Sequence, residues 1–207
     1  MTLFYMVRHG ETEWSRDGNR YCGRSDIPLT ETGTLQAALL AALLHNVSFD
    51  AAVVSPLRRA RDTAIPIVQR LRIDMQVDPR LQEIDFGDWE GLTQPEIEAE
   101  FPQQWMNWTH DPLKNQAGGR GESARDVFER MTEVLTEHHK KHRNVLIVSH
   151  TTAMRLVMAG TLGMPFAHYR KLEINTADVY VLTMKNLAEI KWRALNWLTS
   201  SWSVSSP

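Results

Sequence analysis

The chain has 207 residues, 23 Lys and Arg against 25 Asp and Glu, a formal net charge of −2 and one cysteine. That length implies a single domain over residues 1–207 with room for a real core, and 43% hydrophobic content excludes a disordered chain. The near-neutral balance gives no basic excess for a nucleic-acid backbone, and lone Cys22 excludes a disulfide framework or a thiolate-built zinc site.

The first apolar run, Leu3 to Val7, is too short for a signal sequence or a membrane span. Together with the absence of disulfide pairs, it implies a cytoplasmic protein with no membrane partner. The run reads as a strand buried on both faces, because it does not alternate with polar residues. Thr30 to His45 reads as a helix with Leu35, Leu39, Ala42 and Leu43 on one face and Asn46 just past its end. Ala51 to Val54 is a second buried strand, followed by Ser55 as a helix N-cap and Pro56 as its first residue. From 79 to 122 the pattern is acidic and punctuated by Gly and Pro. This is read as an insertion of short helices over one end of the sheet, with Gly118 to Gly121 as a mobile loop. Trp14, Trp89, Trp105 and Trp108 are read as core rather than as stacking platforms.

Ser123 and Asp126 match a capping-box pattern ahead of Val127, Met131, Val134, Leu135 and His138 at helical spacing. His138, His139 and His142 beside Lys140 and Lys141 read as a solvated helix end, not a ligand set. Val145 to Val148 is a third buried strand, and His150 opens the helix after it. Val179–Leu182 and Ile190–Leu195 flank Asn186 as two strands closing one sheet edge, and the Ser-rich tail with Trp202 is expected to fray. Strands alternating with helices give an α/β fold with a mostly parallel sheet.

In open α/β sheets ligands sit beyond the carboxyl ends of strands. After the three buried strands come Arg8-His9-Gly10-Glu11-Thr12, Ser55-Pro56-Leu57-Arg58-Arg59 and Ser149-His150-Thr151-Thr152. Taken singly, Arg8 could pair with Glu11, and Arg58, Arg59 and Arg61 could be a solvated helix face. Their shared placement at strand ends, with helix N-termini beside them, makes a socket for a small anion, phosphate first. Histidine and arginine without a metal signature point to phosphoryl transfer to nitrogen. A neutral imidazole attacks phosphorus when its other nitrogen is held, and arginines share the charge of the phosphoryl oxygens. The departing alkoxide needs a proton, and spacing does not choose among Glu83, Asp85, Asp88 and Glu90.

Val7-Arg8-His9-Gly10-Glu11-Thr12 resembles the Arg-His-Gly signature of the histidine phosphatase superfamily, phosphoglycerate-mutase-like branch. Pro28 to Gly33, Ser55 to Ala64, Leu81 to Ile84 with Gly87 to Gly91, Gly121 to Ser123, and Val148 to His150 resemble its later motifs, in order. The resemblance implies a three-layer α/β sandwich with a mostly parallel central sheet, an antiparallel edge strand and helices on both faces. It implies that His9 is the nucleophile, that Arg8, Arg59 and His150 bind the phosphate, and that Glu83 is the general acid. No cofactor or metal is implied, and a homodimer joined by sheet edges has precedent in the family.

The chain departs from the family pattern at Ser15, Cys22 and Thr151, where relatives commonly carry Asn, Gln and Gly. These positions border the substrate pocket in the family, so the departures bear on substrate choice. Residues 81–100 hold seven acids and no Lys or Arg, unlike the basic insertion of mutases in the family. The expected function is therefore hydrolysis of a small phosphomonoester: phosphoserine, a sugar or glycerate phosphate, or α-ribazole phosphate. His150-Thr151 with Met154-Arg155 resembles the phosphoserine phosphatases and puts that ester first. The alternatives are a bisphosphoglycerate-dependent phosphoglycerate mutase and a non-catalytic module that binds phosphorylated ligands.

Overall fold

The computed structural model describes residues 1–195; the tail with Trp202 lies outside them. In chain order its elements are β1 (Thr2–Arg8), α1 (Glu13–Arg16), α2 (Glu31–Leu43), β2 (Ala51–Val54), α3 (Arg58–Leu71) and β3 (Met75–Val77). These are followed by α4 (Gln94–Glu100), α5 (Pro102–His110), α6 (Ala124–His139), β4 (Asn144–Ser149), α7 (Thr151–Thr161), β5 (Val179–Asn186) and β6 (Glu189–Ala194). The strands form one sheet in the order β3-β2-β4-β1-β5-β6. β1 to β4 pair in parallel, while β5 and β6 add an antiparallel hairpin at one edge, as expected for a mostly parallel α/β sheet.

Successive side chains of a strand point to opposite faces, so each buried run feeds two cores. Phe4, Met6, Val53 and Ile147 face α6, α7 and the insertion. Val7, Ala52, Val54, Leu146 and Val148 face α2 and α3. This is the three-layer sandwich that the family resemblance implies, and its mostly parallel sheet is the one the apolar runs predict. Among the described residues no helix is long and apolar enough to cross a membrane.

Several local expectations are corrected. The buried stripe of α2 is Gly33, Ala37, Leu40 and Ala41, while Leu35 is 62% exposed. A Leu/Ala-rich helix offers more than one apolar stripe, and here a backbone contact chooses. A Cβ on Gly33 would sit 2.2 Å from the Glu11 carbonyl oxygen, and one on Gly10 2.6 Å from that of Gly33. That close approach turns Gly33 inward and ties the loop after β1 to the start of α2. Leu44 closes the helix, so Asn46 is not its capping residue. Helix α3 begins at Arg58 with Leu57 as N-cap, and the Ser55 hydroxyl lies before it, accepting from Leu57 N–H at 3.4 Å and meeting His150 Nε2 at 2.7 Å. Edge strand β3 carries no apolar run and escapes sequence reading.

The insertion packs rather than drapes. Trp89 and Trp108 are fully buried in the core that also holds Phe4 and Ile147, with ring centroids 6.1 Å apart and edge to face. Gly118 to Gly121 is a tight turn and not a mobile loop. Gly121 N–H donates to the Ala117 carbonyl at 2.8 Å, and a Cβ on Gly118 would lie 2.0 Å from the Phe86 carbonyl oxygen. Glu122 fastens it, accepting from Arg130 at 2.8 Å and from the Asp85 N–H at 2.9 Å. His138 is buried rather than solvated, its Nδ1 without a partner among the described residues and its ring stacked on His142 at 5.4 Å.

Candidate active site

Strand register assembles the site. Arg8 of β1 lies opposite Ser149 of β4, and Val54 of β2 opposite Val148, so the residues that follow each strand emerge together. The His9 and His150 rings are consequently 5.1 Å apart, although 141 positions separate them in the chain. Gly10 N–H donates to the Thr63 hydroxyl of α3 at 2.9 Å, tying the loop to the neighbouring helix.

His9 Nδ1 lies 2.7 Å from the Gly10 carbonyl, an acceptor, so Nδ1 carries the proton and Nε2 keeps its lone pair. Burial, reinforced by Arg59 and Arg8, holds His9 well below the usual imidazole range, against the opposing Gly10 carbonyl. The ring is therefore neutral at neutral pH. Burial also lowers His150 strongly, again with Arg59. Its Nδ1 accepts from Arg59 Nε at 3.2 Å, and its Nε2–H donates to the Ser55 hydroxyl at 2.7 Å.

The two arginines differ. Arg59 is fully buried, and its terminal nitrogens donate to the carbonyls of Ser25 at 2.8 Å, Gly23 at 2.9 Å and Cys22 at 3.2 Å. Arg8 donates through Nη1 to the Ile174 carbonyl at 2.6 Å, while its buried Nε has no partner among the described residues. Burial and then Arg155 lower the Arg8 guanidinium to about 10, against the attraction of Glu83 and Asp178. Arg8 does not pair with Glu11, whose carboxylate accepts from Thr30.

A cavity of about 210 Å³ opens over His9, lined also by Arg8, Glu83 and Thr151. Of the four acids that spacing left open, Glu83 alone lines it. Glu90 accepts from the N–H groups of Gly23 and Ser25, Asp85 from Gly87, and Asp88 pairs with Arg120. Glu83 is 4% exposed and sits at the N-terminus of α7, accepting from Ile84, Thr152 and Ala153 N–H, each at 2.9 Å. Two of the orphan donors of that helix thus fix its carboxylate.

The model of the histidine phosphatase superfamily (branch 1) matches residues 4–197. The chain belongs to the histidine phosphatase superfamily. It is 34% identical to phosphoserine phosphatase 1 of Hydrogenobacter thermophilus over 89% of this chain and 88% of that one. It is 38% identical to an adenosylcobalamin/alpha-ribazole phosphatase of Escherichia coli over 78% of this chain and 79% of that one. Among solved structures, a mycobacterial glucosyl-3-phosphoglycerate phosphatase complexed with VO3 aligns with TM-score 0.79 and 31% identity, covering 95% of this chain and 99% of that one.

Within that family frame the three departures take different places. Thr151 lines the cavity at the mouth of α7. Ser15 borders it, but its hydroxyl is engaged by the backbone of Thr12, accepting from N–H and donating to C=O, each at 2.9 Å. Cys22 borders it too; its carbonyl receives Arg59, and burial pushes its thiol up to about 11. Arg58 stays on the exposed face, paired with Asp62. His150 and Arg59 are fully buried and are not among the residues that line the cavity. Arg20 and Arg170 line the outer cavity and were not expected from the sequence, whereas Arg155 entered only as part of a resemblance. Among the described residues no group of three or more His, Cys, Asp and Glu side chains is placed to hold a metal.

Proposed function

We propose that the protein hydrolyses a small phosphomonoester through a phosphohistidine on His9. The observation that carries this reading is the neutral His9 ring, held through Nδ1 by the Gly10 carbonyl and presenting Nε2 to a cavity that also contains Arg8. Relatives named as phosphatases of phosphoserine, alpha-ribazole phosphate and glucosyl-3-phosphoglycerate support a small-metabolite ester.

The His9 Nε2 lone pair forms the P–N bond as the ester P–O bond breaks. Glu83, entering as the acid, gives its proton to the leaving alkoxide. The Glu83 carboxylate then takes a proton from water as that water attacks phosphorus. The P–N bond breaks, and inorganic phosphate leaves with His9 neutral again. Arg8 stabilises the charge on the phosphoryl oxygens. Arg59 orients His150 and the 22–25 loop through its hydrogen bonds. Residues 81–100, acidic throughout, support hydrolysis over a mutase.

Turnover of p-nitrophenyl phosphate should persist in excess chelator and fall by at least about a thousandfold in His9→Ala. Acid-labile, alkali-stable label from phosphorylated substrate should map to His9. Label on another residue would sink the mechanism. Interconversion of monophosphoglycerates without phosphate release would make the protein a mutase.

A further inference from the structure

Every backbone group of the loop that carries the nucleophile has a partner. His9 N–H donates to the Ser149 carbonyl at 3.1 Å, and the His9 carbonyl accepts from Ala177 N–H at 3.2 Å. The Glu11 carbonyl accepts from Thr30 N–H at 2.9 Å, and the Gly10 carbonyl faces His9 Nδ1. The last two groups go to side chains. Gly10 N–H donates to the Thr63 hydroxyl, and Glu11 N–H donates to Gln36 Oε1 at 2.8 Å. Gln36 is half-buried on α2, three residues past Gly33, and does not line the cavity.

Glu11 N–H and the Gly10 carbonyl are opposite ends of one planar peptide group, so a hold on the first aims the second. That carbonyl keeps the His9 proton on Nδ1 and leaves Nε2 free to attack. The peptide needs such a hold. A Cβ on residue 10 would lie 2.6 Å from the Gly33 carbonyl oxygen, so glycine is required there, and glycine turns readily about its own bonds. Close packing against α2 thus removes the side chain that would have stiffened the loop. Gln36 supplies the restraint from one turn further along the same helix.

Gln36 is fixed in its turn. A donor partner selects its Oε1 for Glu11, which leaves Nε2 to donate to Thr176 Oγ1 at 3.2 Å. Thr176 belongs to the segment before β5, where the Ile174 carbonyl accepts from Arg8 and Ala177 N–H holds the His9 carbonyl. Ala177 is 2% exposed with a φ of 61°, a conformation that a residue with a side chain keeps only where its surroundings dictate it. One amide therefore joins the two segments that grip His9 and Arg8.

We propose that Gln36 is a positioning residue: by holding Glu11 N–H it aims the Gly10 carbonyl at His9 Nδ1 and keeps the nucleophile in its reactive tautomer. The inference rests on the phosphohistidine reading and extends it to a side chain outside the cavity. Without this bond the peptide turns, Nδ1 loses its acceptor, and the ring proton moves to Nε2 in part of the molecules. Those molecules present no lone pair to phosphorus.

The test compares wild type with Gln36→Met, which keeps the length but not the acceptor, and Gln36→Glu, which keeps the acceptor and lets the Thr176 hydroxyl donate. In nitrogen NMR of histidine-labelled protein at neutral pH, wild type and Gln36→Glu should show His9 protonated at Nδ1 and bare at Nε2. Gln36→Met should show a mixture of the two neutral tautomers. For p-nitrophenyl phosphate, kcat/KM should fall about tenfold in Gln36→Met, the scale of one hydrogen bond, and recover to within about threefold of wild type in Gln36→Glu. Inhibition by inorganic phosphate should stay within about threefold in both variants, because the anion pocket is untouched. The positioning role is overturned by an undiminished kcat/KM in Gln36→Met, by a fall with the His9 nitrogens unmoved, by an equal fall in Gln36→Glu, or by lost phosphate inhibition. No turnover of any ester by wild type would instead overturn the phosphatase reading, while the His9 nitrogen shifts would still decide whether Gln36 holds the tautomer.

Discussion

Glu83 is chosen by contacts, not by its neighbours in the chain. Its carboxylate meets the N–H groups of Thr152 and Ala153, about seventy positions away, and only folding brings them together. That is why four acids looked equivalent in sequence, and why three of them serve as loop fasteners. If Glu83 protonates the leaving group, Glu83→Gln should cost alkyl phosphates about a hundredfold or more, yet spare p-nitrophenyl phosphate, whose phenolate leaves without help. The readout is the slope of kcat/KM against leaving-group pKa; equal losses on both classes would remove Glu83 from that role. The same logic separates the neighbouring residues. His9 and Arg8 were readable because they follow a buried strand directly. Ser15 and Cys22 both line the cavity, where the Ser15 hydroxyl also meets the Thr12 backbone and the Cys22 carbonyl accepts from Arg59.

Elements with strong local rules were the readable ones. β1, β2 and β4 follow from unbroken apolar runs, and α6 from its cap. Ser123 Oγ accepts from Asp126 N–H at 3.2 Å, while the Asp126 carboxylate accepts from Ser123 N–H at 2.9 Å. Ser123→Ala should therefore destabilise the fold by about 1 kcal/mol. A urea titration would show it as a lower midpoint with an unchanged slope, and an unmoved midpoint would mean that the box contributes nothing. Elements governed by long-range contact were not readable. Helix α2 offers Leu35 and Leu39 as plausibly as Leu40 and Leu44 until Gly33 meets the Glu11 backbone. β3 is three residues at a sheet edge, with Gln76 and Val77 exposed, and leaves almost no pattern. The Gly-rich turn at 118–121 has the composition of a loose loop, but its glycines are there for close packing against 85–89.

Over the whole molecule the net charge is near zero, yet four arginines, Arg8, Arg20, Arg155 and Arg170, line one cavity with Glu83. The price of such a site is buried imidazole. His9, His150 and His138 are all buried, with pKa values pushed below 6.5, in each case chiefly by burial. Arg59 and Arg8 add to the effect at His9. At His138, His142 and Lys141 lower the pKa further, while Glu137 and Asp78 oppose them. A histidine with a lowered folded pKa binds its proton more readily in the unfolded chain. Stability is then fully present above the unfolded value near 6.5 and declines as pH falls through and below it. The carboxylates with lowered values, such as Glu122 held by Arg130 and Arg24 against its burial, also lose stabilisation in acid. Their window opens only near 4.5 and below, so the two groups can be told apart. The melting temperature should therefore drop between pH 7.5 and 5.5, before the carboxylates titrate. His138→Leu, remote from the cavity, should flatten part of that slope while His9 and His150 maintain the rest. A melting temperature constant across this interval would show that the buried rings do not resist protonation, and the neutral His9 on which the phosphohistidine mechanism depends would lose its basis.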